Sequence, residues 1–216
     1  MKLFLDTANL DDIRAAARLG VIRGVTTNPT LISREKGDFA DIIRQIAALT
    51  DGPVFAEVLS KDADGMIREG RELHAVHERV AVKIPMTEEG LAATSVLAKE
   101  GIPVACTLVF SAAQALLAAN AGARYVAPFI GRFDDIGYDG IEAVASIAEV
   151  LSDGDFGTEI IAASVRSPLH AVEAARAGAD IATVPPKVLF QMVRHPLTDA
   201  GLEKFMKDWS ASGREL

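Results

Sequence analysis

Short apolar runs alternate along this chain with longer stretches in which apolar residues recur every three or four positions. The short runs predict strands at Leu3–Thr7, Gly24–Asn28, Val54–Leu59, Val80–Pro85, Val104–Val109, Tyr125–Ile130, Ile160–Ser164 and Ile181–Val184. Their near-continuous apolar character is that of parallel strands covered on both faces. The longer stretches predict helices, for example Asp41–Leu49 with Ile42, Ile43, Ile46 and Leu49 at helical spacing, and Gly90–Lys99 with Leu91, Val96 and Leu97.

Punctuation agrees with that division. Asn9 with Asp12, and Ser111 with Gln114, have the spacing of helix starts, and Ser167-Pro168 puts a capping residue before a proline at the first helical position. Gly20, Gly101, Gly122 and Gly178 fall where helices should stop before the next strand. Eight strand-then-helix units in 216 residues predict an α/β chain forming a single (β/α)8 TIM barrel over residues 1–216. An open doubly wound sheet is the alternative, but the first strand runs into Leu5-Asp6-Thr7-Ala8-Asn9 without a glycine-rich phosphate loop. An additional C-terminal helix, Thr198 to about Ser210, carries Leu202, Phe205, Met206 and Trp209 on one face. That face either packs as a lid on the chain's own barrel or meets another subunit.

Charge and composition narrow the partners. A net charge of −8 with no Lys/Arg-rich block argues against a nucleic-acid surface and points to a small-molecule substrate. Cys106 is the only cysteine, so an internal disulfide is excluded and the usage suits a reducing cytosol. No apolar run reaches membrane-spanning length, and the opening Lys2-Leu3-Phe4-Leu5-Asp6 reads as a strand rather than a secretory segment. The expectation is a cytoplasmic protein.

Within Arg79-Val80-Ala81-Val82-Lys83-Ile84-Pro85 the lysine is out of place. A long cation in an apolar strand costs free energy unless it finds partners or sheds its proton. Lys83 is therefore a candidate amine nucleophile toward a carbonyl, with a structural ion pair as the plainer alternative.

In a barrel of this kind the chemistry sits at the carboxyl ends of the strands. The polar residues ending them are Asp6, Thr26 and Asn28, Glu57, Lys83, Thr107, Arg132 just past the sixth strand, and Ser164 with Arg166 at the seventh. Strand parity lets Lys83 and Glu57 point inward if Val82, Ile84, Ala56 and Val58 face the helices. An amine beside a carboxylate and a hydroxyl can form an imine with a ketone, since both addition and dehydration need protons moved. The protonated imine then accepts electrons, and a neighbouring carbon–carbon bond breaks if Asp6 or Glu57 removes the adjacent hydroxyl proton. Arg132 and Arg166 can clamp a phosphate, helped by the helix start at Ser167-Pro168. The substrate reads as a phosphorylated hydroxy-ketone.

At the level of motifs the chain resembles the transaldolase family, in its short single-domain subfamily that includes fructose-6-phosphate aldolases. The likeness is carried by LDTAN at Leu5–Asn9, GVTTNPTLI at Gly24–Ile32, FAEV at Phe55–Val58 and VKIPMTEEGL at Val82–Leu91. It continues in CTLVFSAAQALLA at Cys106–Ala118, VAPFIGRFDDIG at Val126–Gly137 and AASVRSP at Ala162–Pro168. The resemblance implies a Schiff-base role for Lys83, acid–base work at the cleaved bond for Asp6, and positioning of the catalytic water by Glu57 and Thr107. It implies that Asn28 and Ser164 hold hydroxyls of a dihydroxyacetone fragment and that Arg132 and Arg166 hold the phosphate. Glu57 rather than glutamine, and Phe129 rather than tyrosine, imply transfer of the fragment to an aldose phosphate over its release. Ala127 and Ala105 depart from the serine and asparagine common in transaldolases. The family also implies sugar-phosphate substrates, no cofactor, and a homo-oligomer, decameric in many members, in which the C-terminal helix reaches a neighbour.

A metal-dependent aldolase would need clustered histidines, whereas His74 and His77 lie in a polar helical stretch and read as solvated surface. Cys106, adjacent to Thr107 in one strand, should face the helices as an inert thiol. A non-catalytic sugar-phosphate-binding barrel is the remaining alternative, opposed by the joint presence of Lys83, Glu57 and Asp6.

Overall fold

The computed structural model describes residues 1–152, 154 and 156–215. Its first half comprises β1 (Lys2–Asp6), α1 (Leu10–Ala17), β2 (Ile22–Thr26), α2 (Pro29–Ile32), α3 (Phe39–Leu49), β3 (Val54–Glu57), α4 (Ala63–Val76), β4 (Val80–Pro85) and α5 (Glu88–Lys99). Its second half comprises β5 (Val104–Val109), α6 (Ala112–Asn120), β6 (Tyr125–Pro128), α7 (Ile130–Asp135), α8 (Gly140–Ser152), β7 (Glu159–Ala162), α9 (Pro168–Arg176), β8 (Ile181–Val184), α10 (Pro186–Val193) and α11 (Pro196–Ala211). The strands close in chain order, all parallel, with β1 paired to both β2 and β8. This is a TIM barrel, and the open doubly wound alternative is overturned by that closing β1–β8 ladder.

Local chemistry places the turns. Asn9 accepts from the amides of Asp11 and Asp12, and Ser167 accepts from that of His170, with Pro168 at the first helical position. Ser111 takes the Gln114 amide, while Gln114 reaches one residue further back than a capping box requires and accepts from Phe110 N at 2.7 Å. Gly20, Gly101, Gly122 and Gly178 all have positive φ at helix ends.

Two apolar layers share the strands by parity. Val82, Ile84, Ala56, Val58 and Cys106 face the surrounding helices. Phe4, Phe55, Ala81, Ala105, Ala127, Ile161, Ala163 and Ile181 fill the barrel's inside. Phe55 lies 5.7 Å from the ring of Phe4 and 5.0 Å from that of Tyr125, so aromatics close the lower half of the bore. Gly24 makes room for them, since a Cβ there would stand 2.9 Å from the Phe4 ring. Higher in the bore the side chains shrink to alanines at 105, 127 and 163, which leaves space.

Some expectations are corrected. The predicted strands at 3–7, 24–28, 54–59, 125–130 and 160–164 end one or two residues too late, because the chain past each ladder turns into the next loop or helix: Ile130 already opens α7, and Ser164 has positive φ. Asn28, for instance, already caps α2. The lid reading of the C-terminal helix is overturned: extended backbone at Arg194 and His195 redirects the chain, and no residue of α11 is buried. Phe205 is 69% exposed and Met206 64%. His74 and His77 are not loose surface either, since His74 Nδ1 lies 2.8 Å from the Val80 carbonyl and His77 Nδ1 accepts from Arg79 N. Among the described residues no helix is long and apolar enough to cross a membrane.

Candidate active site

A cavity of about 190 Å³ opens at the carboxyl ends of the strands, above the aromatic plug. Asp6, Thr26, Asn28, Lys83, Thr107, Phe129, Arg132 and Ser164 line it, together with Phe55, Ala105, Ala127, Ile161, Ala163 and Thr183. Lys83 is 7% exposed overall, and its Nζ stands 3.0 Å from Glu57 Oε2 while donating to the Thr27 carbonyl at 3.0 Å. The register explains the pairing: Glu57 on β3 and Lys83 on β4 are direct partners, so both side chains leave the sheet on the same side. On β5 the partner of Lys83 is Ala105, whose single methyl leaves the amine room. Glu57 does not line the cavity itself and reaches it through Lys83; its own outer wall belongs to an apolar cleft with Phe39, Leu59 and Leu73.

Asp6, in β1, is half-buried. Burial pushes its carboxyl above the ordinary range, opposed by the Thr26 hydroxyl, which donates to Oδ1 at 2.8 Å, and by the Lys83 charge. Thr26 is the register partner of Asp6 on β2. Its Oγ1 also lies 2.6 Å from Thr183 Oγ1. Thr183 escapes the sequence reading because it lies inside the eighth strand, before Val184, rather than at its end.

Thr107 is 1% exposed, and its Oγ1 has no hydrogen-bond partner among the described residues although it faces the cavity. An unpaired buried hydroxyl so placed is free to bond a water or a substrate oxygen. Leu108, next along, has φ 58 and forms a bulge where the register shifts between Thr107 and Val109. The extra residue returns Val109 to the outer core and swings Phe110 to the mouth, where it packs 6.1 Å from Phe129 and 5.5 Å from Phe133. Nothing in the sequence pattern signalled that bulge. Ser164 is likewise at φ 58, a strained conformation of the kind that clusters at functional sites.

The two arginines differ. Arg132 lines the cavity. Arg166 sits at the rim with both terminal nitrogens on Asp135, the second at 2.6 Å, and its Nε close over Gly131. A Cβ at 131 would lie 2.6 Å from that Nε and 2.5 Å from the Ser164 carbonyl, so only glycine admits this packing. Arg166 holds the Asp135 carboxyl below its usual range. Cys106 faces the helices, as parity predicts, and burial pushes its thiol up to about 12.

The family model described as transaldolase/fructose-6-phosphate aldolase matches residues 3–216. A probable transaldolase of Thermoanaerobacter sp. (strain X514) is 57% identical over 216 residues, covering 100% of both chains. One of Caldicellulosiruptor saccharolyticus is 59% identical over 210 residues, 97% of each. Among solved structures, the thiamine phosphate pyrophosphorylase from Pyrococcus furiosus superimposes with a TM-score of 0.60 at 18% identity over 87% of each chain, a likeness of fold alone. From the barrel, the rim and these matches together, the chain belongs to the transaldolase/fructose-6-phosphate aldolase family.

Proposed function

We propose that this enzyme transfers a dihydroxyacetone unit from a ketose phosphate, such as fructose 6-phosphate or sedoheptulose 7-phosphate, to an aldose phosphate through an imine on Lys83. The observation that carries the reading is the cavity amine itself, within 3.0 Å of a carboxylate and facing a second one on β1. Glu57 takes a proton from the Lys83 ammonium, and Nζ adds to the donor's C2 carbonyl. The carbinolamine oxygen leaves as water, with Glu57 and Thr107 supplying and relaying protons. Asp6 removes the proton from the C4 hydroxyl; the C3–C4 bond breaks, its electrons pass to the iminium nitrogen, and the shortened aldose phosphate departs. The enamine left on Lys83 then adds to the acceptor's carbonyl carbon, and Asp6 returns its proton to the new alkoxide. Water finally releases the lengthened ketose.

Asn28 and Ser164 hold hydroxyls of the bound fragment, and Arg132 with Arg166 takes the phosphate. Phe129 supports transfer over release, because it brings no hydroxyl to the cavity that could help protonate the enamine. Homo-oligomerisation belongs to the same reading, supported by the exposed apolar residues of α11.

Borohydride added with fructose 6-phosphate is expected to fix a covalent adduct on Lys83 that Lys83→Ala abolishes; adduct persisting in the mutant would end the imine reading. Turnover of fructose 6-phosphate should require erythrose 4-phosphate. Fast release of glyceraldehyde 3-phosphate without an acceptor would instead make the enzyme a fructose-6-phosphate aldolase.

A further inference from the structure

We propose that Thr183 is a positioning residue: through Thr26 it fixes which oxygen of Asp6 carries the transferable proton. β1 lies between β2 and β8, so the strands bearing Thr26 and Thr183 flank the one bearing Asp6. Both threonines are buried, at 5% and 3% exposure, and both line the cavity. Thr183 is level with Phe4, one inward position below Asp6, so the two hydroxyls meet between the aromatic plug and the carboxylate.

A hydroxyl has one proton to give. An ionised carboxylate can only accept, so at 2.8 Å the Thr26 proton goes to Asp6 Oδ1. The 2.6 Å contact between the hydroxyls must then be filled by the Thr183 proton. The chain therefore runs one way, from Thr183 to Thr26 to Asp6. Each link polarises the next, so the Thr183 hydrogen bond strengthens the donation that Asp6 receives.

The consequence lies at the other carboxylate oxygen. Oδ2 accepts no hydrogen bond from the described residues, and Oδ1 is already occupied. A proton taken from a substrate hydroxyl settles on Oδ2, and with Oδ1 held the carboxylate does not rotate the proton away before it is returned. Without the Thr183 hydroxyl, Thr26 loses the partner that fixes its orientation, and the carboxylate is held less firmly. The charged groups facing Asp6 in the cavity are Lys83 from β4 and Arg132 from beyond β6, while Glu57 from β3 pairs with Lys83. Substitution of Thr183 alters none of them.

The inference rests on the proposed imine chemistry, and its test separates the two. Thr183→Val keeps the shape and removes the hydroxyl. It is expected to lower kcat for transfer about tenfold with KM nearly unchanged. The acid limb of the pH–rate profile and the Asp6 carboxyl titration, followed by 13C NMR, should both move up by about half a unit. Thr183→Ser should restore all three readouts, and borohydride trapping with dihydroxyacetone alone should survive in every variant. If the valine chain does not fold, Thr183→Ala carries the same expectation. An unmoved Asp6 titration, or a serine variant as impaired as the valine one, would overturn the assignment. A wild-type enzyme that traps nothing would overturn the imine chemistry, and the NMR titration would still decide the hydrogen-bond chain.

Discussion

Replacing Glu57 by alanine should destabilise the fold as well as the chemistry. The side chains of Lys83 and Glu57 are 9% and 16% exposed, and among the described residues the amine's only other partner is the neutral Thr27 carbonyl. Removing the carboxylate leaves a nearly buried cation with one acceptor, and breaking a buried pair costs about 3–5 kcal/mol. Because Glu57 keeps some contact with solvent, the lower end applies, about 3 kcal/mol. For a chain of this size that lowers Tm by about 6–12 °C. Urea unfolding of Glu57→Ala, Lys83→Met and the double variant, followed by circular dichroism, measures the effect and its coupling. The double variant should be more stable than the sum of single losses predicts by about 2 kcal/mol, since it strands no charge. A Glu57→Ala cost below about 1 kcal/mol, or additive losses, would refute the reading that Glu57 compensates the nearly buried charge of Lys83.

Four shorter expectations accompany it. Burial raises the Asp6 carboxyl above its unfolded value, so the stability it contributes is present in acid and lost as pH rises through the folded value. Wild type should therefore lose stability relative to Asp6→Asn from acid to neutral pH, and a difference that stays flat or grows would contradict this. Asp135 occupies both terminal nitrogens of Arg166, so Asp135→Asn should make inorganic phosphate about threefold more potent as an inhibitor of transfer; weaker inhibition would show that Asp135 orients the arginine instead. Phe129→Tyr should raise acceptor-independent release of dihydroxyacetone severalfold, and an unchanged release-to-transfer ratio would deny residue 129 that influence. Light scattering should find the wild type oligomeric and Phe205→Glu/Trp209→Glu smaller; a monomeric wild type would remove α11 as a contact.

Much of this architecture was readable because the signals were redundant. The strands at Val80–Pro85, Val104–Val109 and Ile181–Val184 stand where periodicity put them, each bounded by proline, polar residues or a helix start. Parity, once the strand-ending polar residues are taken as facing inward, orients Lys83, Thr107 and Cys106 as the structure has them. What escaped was of another kind. The bulge at Leu108 depends on how β5 meets β6, and no residue type there demands a positive φ. The Arg166–Asp135 pair joins the loop after β7 to the end of α7, an approach set by Gly131. An amphipathic stripe on α11 announces an apolar face without saying what covers it, which is why the lid and subunit readings could not be told apart beforehand.

The narrowing of side chains up the bore has a consequence for how this barrel can change. Cohesion is concentrated low, in Phe4 and Phe55, while Ala105, Ala127 and Ala163 border the space where substrate atoms must fit. Exchanging one of these methyls for a larger or polar group alters the shape offered to a sugar while leaving the tilted and edge-on rings beneath untouched. Choice of substrate can therefore drift in this protein without drawing on the part of the molecule that keeps it folded.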